Sequence, residues 1–189
     1  MMEKSGDIGN VDKVLVQSIL EHAHDFAWTM QDLGLLGLRL DEKREYRLHV
    51  WAPERGIGPP VIHDHPFDFV SRIVAGELTN IRYVEDPSGA HYRRDRYLPP
   101  DEDQRTTDTI RLTGIAQTHC EGAEYAQLAP ELHDSRQLPG TVTILRRSFH
   151  NVGELTVCRP LDAPWISGLS RPATPEEVKD ITTMALEWF

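Results

Sequence analysis

The sequence has few cysteines, fewer basic than acidic side chains, and no long apolar run. Its two cysteines, Cys120 and Cys158, stand outside any CxxC motif, so we expect free thiols in a reducing cytoplasm. The 20 basic residues face 30 acidic ones, and the net charge of −10 argues against nucleic-acid and anionic-membrane partners. No apolar run approaches the roughly 20 residues of a membrane span. Residues 1–10 also lack the apolar core of an export signal.

The composition that remains is that of a globular domain with an unusual number of histidines. Hydrophobic residues make up 39% of the chain and charged residues 26%, which is typical of a water-soluble fold. A length of 189 residues suits one domain with one sizeable core. Nine histidines in an acidic chain are the first compositional indication of chemistry.

Apolar residues recur at helical spacing near both ends of the chain. Residues 11–33 carry an amphipathic pattern, and Gly34 is suited to end that helix. Residues 174–188 carry a second pattern, in which Thr174 and Glu177 form a capping box. We expect two helices that pack their apolar faces on the core.

The chain between these helices, residues 38–160, predicts β-structure. About ten short runs rich in β-branched and aromatic residues are separated by turn residues. No helical pattern alternates with them, which disfavours Rossmann and TIM-barrel folds. We therefore predict an all-β sandwich or small barrel with flanking helices. The polar segment PPDEDQRTTD, residues 99–108, is the most loop-like insertion and is expected to be a mobile surface hairpin.

Two histidines one residue apart, His63 and His65, lie in the stretch VIHDHPFDFV. Chance supplies about 0.4 such pairs in a chain with nine histidines, so the bare motif is weak evidence. On a strand, however, alternate residues point to the same side, and two converging imidazoles suit a divalent metal. The pair also follows a Gly/Pro-rich loop and opens an apolar strand, a position typical of the mouth of a barrel.

A third ligand is sought among the remaining histidines. His133 precedes a turn and a β-rich run, and a barrel could bring it beside the pair. His150 in RRSFHNV is the alternative.

Two aspartates lie near the histidine pair, Asp64 between the two histidines and Asp68 after them. Strict alternation places Asp68 on the opposite face, but Pro66 favours a bulge that could turn Asp68 towards the metal. Asp68 is therefore a candidate fourth ligand or an acceptor for an imidazole N–H. Asp64 points away by the same alternation, and we expect a structural role for it.

Several side chains could handle a substrate. Arg47, His49 and Trp51 share one face of YRLHVWAP, and if that face is inward Arg47 could clamp a carboxylate. An outward face is the open alternative. We name Arg47 and Tyr83 as candidate catalytic residues. Arg82, Arg111 and Tyr125 are further candidates.

Residues 61–85, from VIHDHP through the glycine at Gly76, resemble the first motif of the cupin superfamily. The usual cupin glutamate, four residues after the second histidine, is replaced here by Phe69. HDHP and the later stretch ELHDSRQLPGTVTIL are similar to the three-histidine thiol dioxygenases, particularly the cysteamine dioxygenase and plant cysteine oxidase branch. Val70 stands where animal cysteine dioxygenase has its crosslinked cysteine, so cysteine itself is not the expected substrate.

The resemblance implies a single cupin domain over residues 1–189, a jelly-roll barrel over residues 38–160, and His133 as third ligand. It implies Fe(II), with Zn, Ni or Mn as alternatives, and a dioxygenase that uses O2 on a small polar or thiol-bearing substrate. A homodimer is a further family-based expectation. A metal-dependent isomerase or lyase and a non-catalytic binding cupin stay open, because one architecture hosts all three.

Overall fold

The computed structural model describes residues 13–31, 34–43, 45–52, 61–98, 101–148, 153–164 and 170–189; the side chains of residues 101, 102 and 104 are not described. Two antiparallel sheets and two α-helices make up this part of the chain, so the all-β prediction is confirmed. Neither described α-helix combines the length and apolarity that a membrane crossing requires.

The helices are α1 (Lys13–Glu21) and α2 (Pro175–Leu186), and a 3₁₀ helix spans Ala23–Asp25. The strands are β1 (Thr29–Gln31), β2 (Leu35–Arg39), β3 (Tyr46–Trp51), β4 (Ile62–His63), β5 (Phe69–Ala75), β6 (Glu77–Leu98), β7 (Asp101–Cys120), β8 (Glu124–Gln127), β9 (His133–Gln137), β10 (Val142–Arg147), β11 (Leu155–Pro160) and β12 (Ser170–Pro172).

The first sheet has seven strands in the order β12-β1-β2-β3-β10-β5-β8. Both α-helices cover one of its faces, since alternate residues along β3 face them while the intervening residues face the other way. The core that results is aliphatic and includes Val16, Leu20, Leu36, Leu48, Val50, Ile144, Val178, Ile181 and Ala185. The opposite face of this sheet lines a cavity.

The second sheet has five strands in the order β11-β4-β9-β6-β7, with an additional pairing between β11 and β6. The long strand β6 pairs with β9 through residues 78–82 and with β11 through residues 92–97. Strands β11, β4, β9 and β6 therefore close into a ring. This arrangement holds β4 and β9, which carry candidate ligands, side by side.

A tight turn at Gly76 joins β5 to β6. Its φ of +82° lies in the left-handed region, and a Cβ at this position would approach Thr141 Oγ1 to 2.6 Å. Only glycine fits both the backbone conformation and this close approach. The glycine of the cupin-like motif is therefore required by the fold.

The N-terminal helix is shorter than the predicted 11–33. Residues 11 and 12 lie outside the described part, α1 ends at Glu21, and Thr29–Gln31 forms β1. The indole of Trp28 donates to Ala23 O at 2.8 Å, and β1 pairs with both β2 and β12. Sheet pairing therefore prevails over helical periodicity here, as tertiary contacts commonly do. The C-terminal prediction is accurate, with the capping box at Thr174 and Glu177 present.

The segment 99–108 was expected to be a surface hairpin, and its described part, from Asp101 onward, is the start of β7. Its residues pair with β6, and Asp108 binds Arg94 with two hydrogen bonds of 2.7 and 2.8 Å. The segment therefore belongs to a hairpin, as predicted, and its polar residues lie on strands with one solvent-facing side.

Candidate metal centre

Three histidine rings, those of His63, His65 and His133, converge between the two sheets. His63 ends β4 and lies opposite His133 of β9 in the register, while His65 follows two residues later. The ring centroids lie 4.8, 4.8 and 5.1 Å apart, and one nitrogen of each ring lies within 4.8 Å of the others. The structure thus brings together the three histidines that the sequence nominated.

The separation of two of these nitrogens suits metal binding. His65 Nε2 and His133 Nε2 lie 3.0 Å apart. Two nitrogens that bind one ion at about 2.1 Å and at right angles lie roughly 3 Å apart. The candidate nitrogen of His63 lies within 4.8 Å of these two.

Hydrogen bonds fix which nitrogen of two rings carries the proton. His63 Nδ1 lies 2.9 Å from the carbonyl of Val61, which can only accept, so Nδ1 donates. His133 Nδ1 lies 3.0 Å from Asn80 Oδ1, also an acceptor. In the neutral rings of His63 and His133, Nε2 is therefore the nitrogen that carries the lone pair, as a metal ligand requires.

Burial favours the neutral form of two of the three rings, His65 and His133. Desolvation, followed by the charges of His63 and His133, holds the pKa of His65 well below its usual 6.5. Desolvation, followed by His63, lowers the pKa of His133 in the same way. Neutral imidazole is the form that binds metals, so burial favours the metal-binding form of His65 and His133.

An aromatic wall stands beside the cluster. The ring of Phe69 is 5.2 Å from that of His65 and 5.7 Å from that of His133. Phe67 lies 5.1 Å from His65, and the guanidinium of Arg147 lies 5.0 Å from the centroid of the Phe67 ring. Phe67 and Phe69 thus place hydrocarbon beside the histidines.

Asp68 is not part of the cluster, which corrects the prediction of a fourth ligand. Its Oδ1 accepts a hydrogen bond of 2.8 Å from the backbone N–H of Ala129, on the side of β5 away from the histidines. Strand alternation therefore prevails over any bulge at Pro66. Asp64 has the structural role expected of it, because its Oδ1 accepts from Thr156 N at 2.8 Å. Burial raises the pKa of Asp64 to about 6 against that hydrogen bond.

A cavity of about 530 Å³ adjoins the three histidines and lies between the sheets. Arg47, His49 and Trp51 line it, so the inward orientation of β3 is confirmed. Burial, and then the charge of Arg47, lowers the pKa of His49 to about 3, so this imidazole is neutral. Further side chains that line the cavity are Leu35, Tyr97, Tyr125, Arg136, Thr143, Leu145 and Val157.

Tyr83, predicted as a catalytic residue, lies outside this cavity. It is partly buried and packs against a second apolar cluster, with its ring 6.2 Å from that of Tyr92. Burial raises the pKa of Tyr83 to about 12. The cause is the register of β6, which places Arg82 opposite His133 and turns Tyr83 to the other face.

The other candidates divide between the cavity and the surface. Tyr125 lines the cavity, and burial raises its pKa to about 12 against hydrogen bonds with Ser71 and Ser135. Arg82 is exposed, and Arg111 donates to the carbonyl of Pro87 on the hairpin. His150 lies outside the described residues.

Sequence reasoning missed two buried amides behind His133. Asn80 is 4% exposed and Gln127 is fully buried, and they are hydrogen-bonded to one another. A signal was present, because Asn80 follows Leu78 on the buried face of an otherwise β-rich run. An amide at an inward position needs a buried partner, and here that partner is a histidine.

Comparison with known proteins adds no assignment. No protein-family model matches this sequence, and no curated protein has significant similarity to it.

Proposed function

We propose that the protein is a metal-dependent cupin oxygenase, specifically an Fe(II) dioxygenase that oxidises a small polar or thiol-bearing substrate with O2. The observation that carries the proposal is the convergence of His63, His65 and His133 beside a cavity, with Phe69 in place of a carboxylate. Three nitrogen donors without a carboxylate correspond to the ligand set of the thiol dioxygenase group that the sequence resembles. The proposal includes the jelly-roll barrel of that family.

The donor set fits a divalent transition metal. Imidazole nitrogen suits iron, zinc, nickel and copper, and the hydrogen bonds at Nδ1 of His63 and His133 make Nε2 the nitrogen that would bind the metal. An Fe(II) ion held by three ligands retains open positions and supplies the redox chemistry for reaction of O2 with a bound substrate. Among the described residues no carboxylate joins this group.

The chain itself would orient the substrate and exclude water. Arg47 lines the cavity and lowers the pKa of both His49 and His65, and its guanidinium would bind an anionic group of the substrate. Phe67 and Phe69 shield the histidines on one side. The 530 Å³ cavity admits molecules larger than a free amino acid.

Metal content and oxygen uptake test the proposal together. Protein purified without chelators is expected to contain iron, and His63→Ala and His133→Ala are expected to lose it. His91→Ala is the matched control, because His91 is an exposed histidine remote from the cluster. Wild-type protein is expected to consume O2 when candidate thiols are added. Absence of iron, together with oxygen uptake that stays at background when thiols are added, would refute the proposal.

A non-redox reaction is the second candidate. Three neutral nitrogens with an open position are also the ligand set of catalytic zinc sites, in which the metal polarises a substrate oxygen. An isomerase or lyase of this kind would work without O2 and with Zn²⁺ in place of iron. Turnover under anaerobic conditions therefore decides between the two enzymes, while a tightly bound ligand without turnover would indicate a binding protein.

A further inference from the structure

A chain of three hydrogen bonds leads from His133 away from the cluster. His133 Nδ1 lies 3.0 Å from Asn80 Oδ1, and Asn80 Nδ2 donates to Gln127 Oε1 at 3.1 Å. Gln127 Nε2 then donates to Glu131, at 3.1 Å to Oε2 and 3.3 Å to the backbone carbonyl. The two amides lie in the interior, where a lost hydrogen bond is costly.

The direction of this chain is determined at its far end. A carboxylate and a backbone carbonyl accept hydrogen bonds but cannot donate, so Gln127 must turn its NH₂ group towards Glu131. Its Oε1 consequently faces Asn80, which must turn its own NH₂ group towards Gln127. Asn80 Oδ1 then faces His133, whose Nδ1 must carry the proton.

We propose that Gln127, acting through Asn80, sets the tautomer of His133 and thereby presents its Nε2 lone pair to the metal. Gln127 and Asn80 are positioning residues, since neither is a ligand. This inference rests on the proposed metal site. Partners of this kind orient a ligand ring, and their loss typically weakens metal binding by about 10- to 100-fold.

The segment that anchors the chain also contacts the first histidine motif. Glu131 Oε2 accepts from Leu128 N at 3.1 Å, and Ala129 O accepts from His65 N at 3.1 Å. Asp68 holds the N–H of Ala129. One short loop, residues 128–131, therefore supports the ring of His133 through side chains and the backbone of His65 directly.

The decisive variant is Gln127→Met, which approximates the length and volume of the side chain but removes its three hydrogen bonds to Asn80 and Glu131. Asn80 then has no fixed orientation, so His133 is expected to populate both tautomers. Two-bond ¹H–¹⁵N spectra of the metal-free protein report the tautomer directly. The dissociation constant for Zn²⁺ alone, measured by chelator competition, is expected to rise by about 10- to 100-fold.

The double variant Asn80→Asp/Gln127→Met separates orientation from packing. A carboxylate at position 80 can only accept, so His133 Nδ1 must again donate although Gln127 is missing. We expect a single tautomer and Zn²⁺ affinity restored to that of the wild type. Thr79→Val is the matched control on the same strand, because its hydroxyl bonds Thr118 on the opposite face.

Three results would overturn the inference. The wild-type spectrum could show the proton on Nε2 of His133, a finding that needs no variant. Gln127→Met could keep the wild-type tautomer and Zn²⁺ affinity, or the double variant could fail to restore them. Failure of the proposed function can be told apart from failure of this inference. A wild-type protein that binds no metal contradicts the proposed function. The tautomer of His133 in the metal-free protein still tests whether Gln127, through Asn80, sets it.

Discussion

Replacement of the buried His49 by glutamine is expected to make the fold less sensitive to acid. His49 is 8% exposed, and burial, with a smaller contribution from Arg47, lowers its pKa from 6.5 to about 3. Below pH 6.5 the unfolded chain takes up a proton at this imidazole, whereas the folded chain does not until the pH reaches about 3. The stability associated with neutral His49 is therefore present above pH 6.5 and is lost as the pH falls towards 3.

The size of the effect follows from these two pKa values. A pH of 4 lies roughly 2.5 units below the pKa of His49 in the unfolded chain. At about 1.4 kcal/mol per unit, proton uptake by the unfolded state lowers the free energy of unfolding by about 3 kcal/mol. His65 and His133, whose pKa values also lie well below 6.5, add losses of their own to both proteins. The charge of His49 is one of the smaller causes of the lowered His65 pKa, so the difference between the two proteins reports chiefly on His49.

Urea unfolding at pH 7 and pH 4, with chelator present and tryptophan fluorescence as the signal, measures this difference. Between the two pH values His49→Gln is expected to lose about 3 kcal/mol less stability than the wild type. His24→Gln is the control, because the side chain of His24 is 79% exposed. Equal losses in the wild type and His49→Gln would show that the imidazole is not held neutral by burial, and would refute the reasoning.

Three further substitutions test the site and the fold. Phe69→Glu places a carboxylate beside His65 and His133 and is expected to tighten Zn²⁺ binding relative to the neutral control Phe69→Gln. Chelator competition measures both affinities, and equal values would contradict a ligand position at residue 69. Gly76→Ala is expected to cost about 1–3 kcal/mol in urea unfolding, since φ is +82° and the Cβ would approach Thr141; an unchanged midpoint would refute this. Thr174→Ala removes the cap of α2 and is expected to cost about 1 kcal/mol, whereas Thr174→Ser should be nearly neutral.

The parts of the site that could be predicted depend on local periodicity. His63 and His65 were paired because alternate residues of a strand share a face, although β4 itself ends at His63. The same rule placed Asp68 on the opposite face, and the additional argument for a bulge at Pro66 was the error. Alternation also grouped Arg47 and Trp51, but only the structure shows that their face lines the cavity.

The parts that could not be predicted depend on register between distant strands. Sequence shows that Arg82 and Tyr83 face opposite ways, but the pairing of Arg82 with His133 decides which face each occupies. The bond between Asn80 and His133 joins residues 53 positions apart and has no local signature. In the same way, β1 was assigned to a helix because its partners β2 and β12 were unknown.

The two histidine motifs, though far apart in sequence, are held together by contacts that do not involve a metal. His63 and His133 are register partners, and the loop 128–131 bonds the backbone of His65. Asp68, which the sequence suggested as a ligand, instead holds Ala129 in that loop at 2.8 Å. Because the rings are positioned by backbone pairing and by the buried amides, convergence of the three nitrogens is a property of the fold itself. Loss of the metal is therefore expected to leave the strands in place, unlike in small domains whose folding depends on their ion.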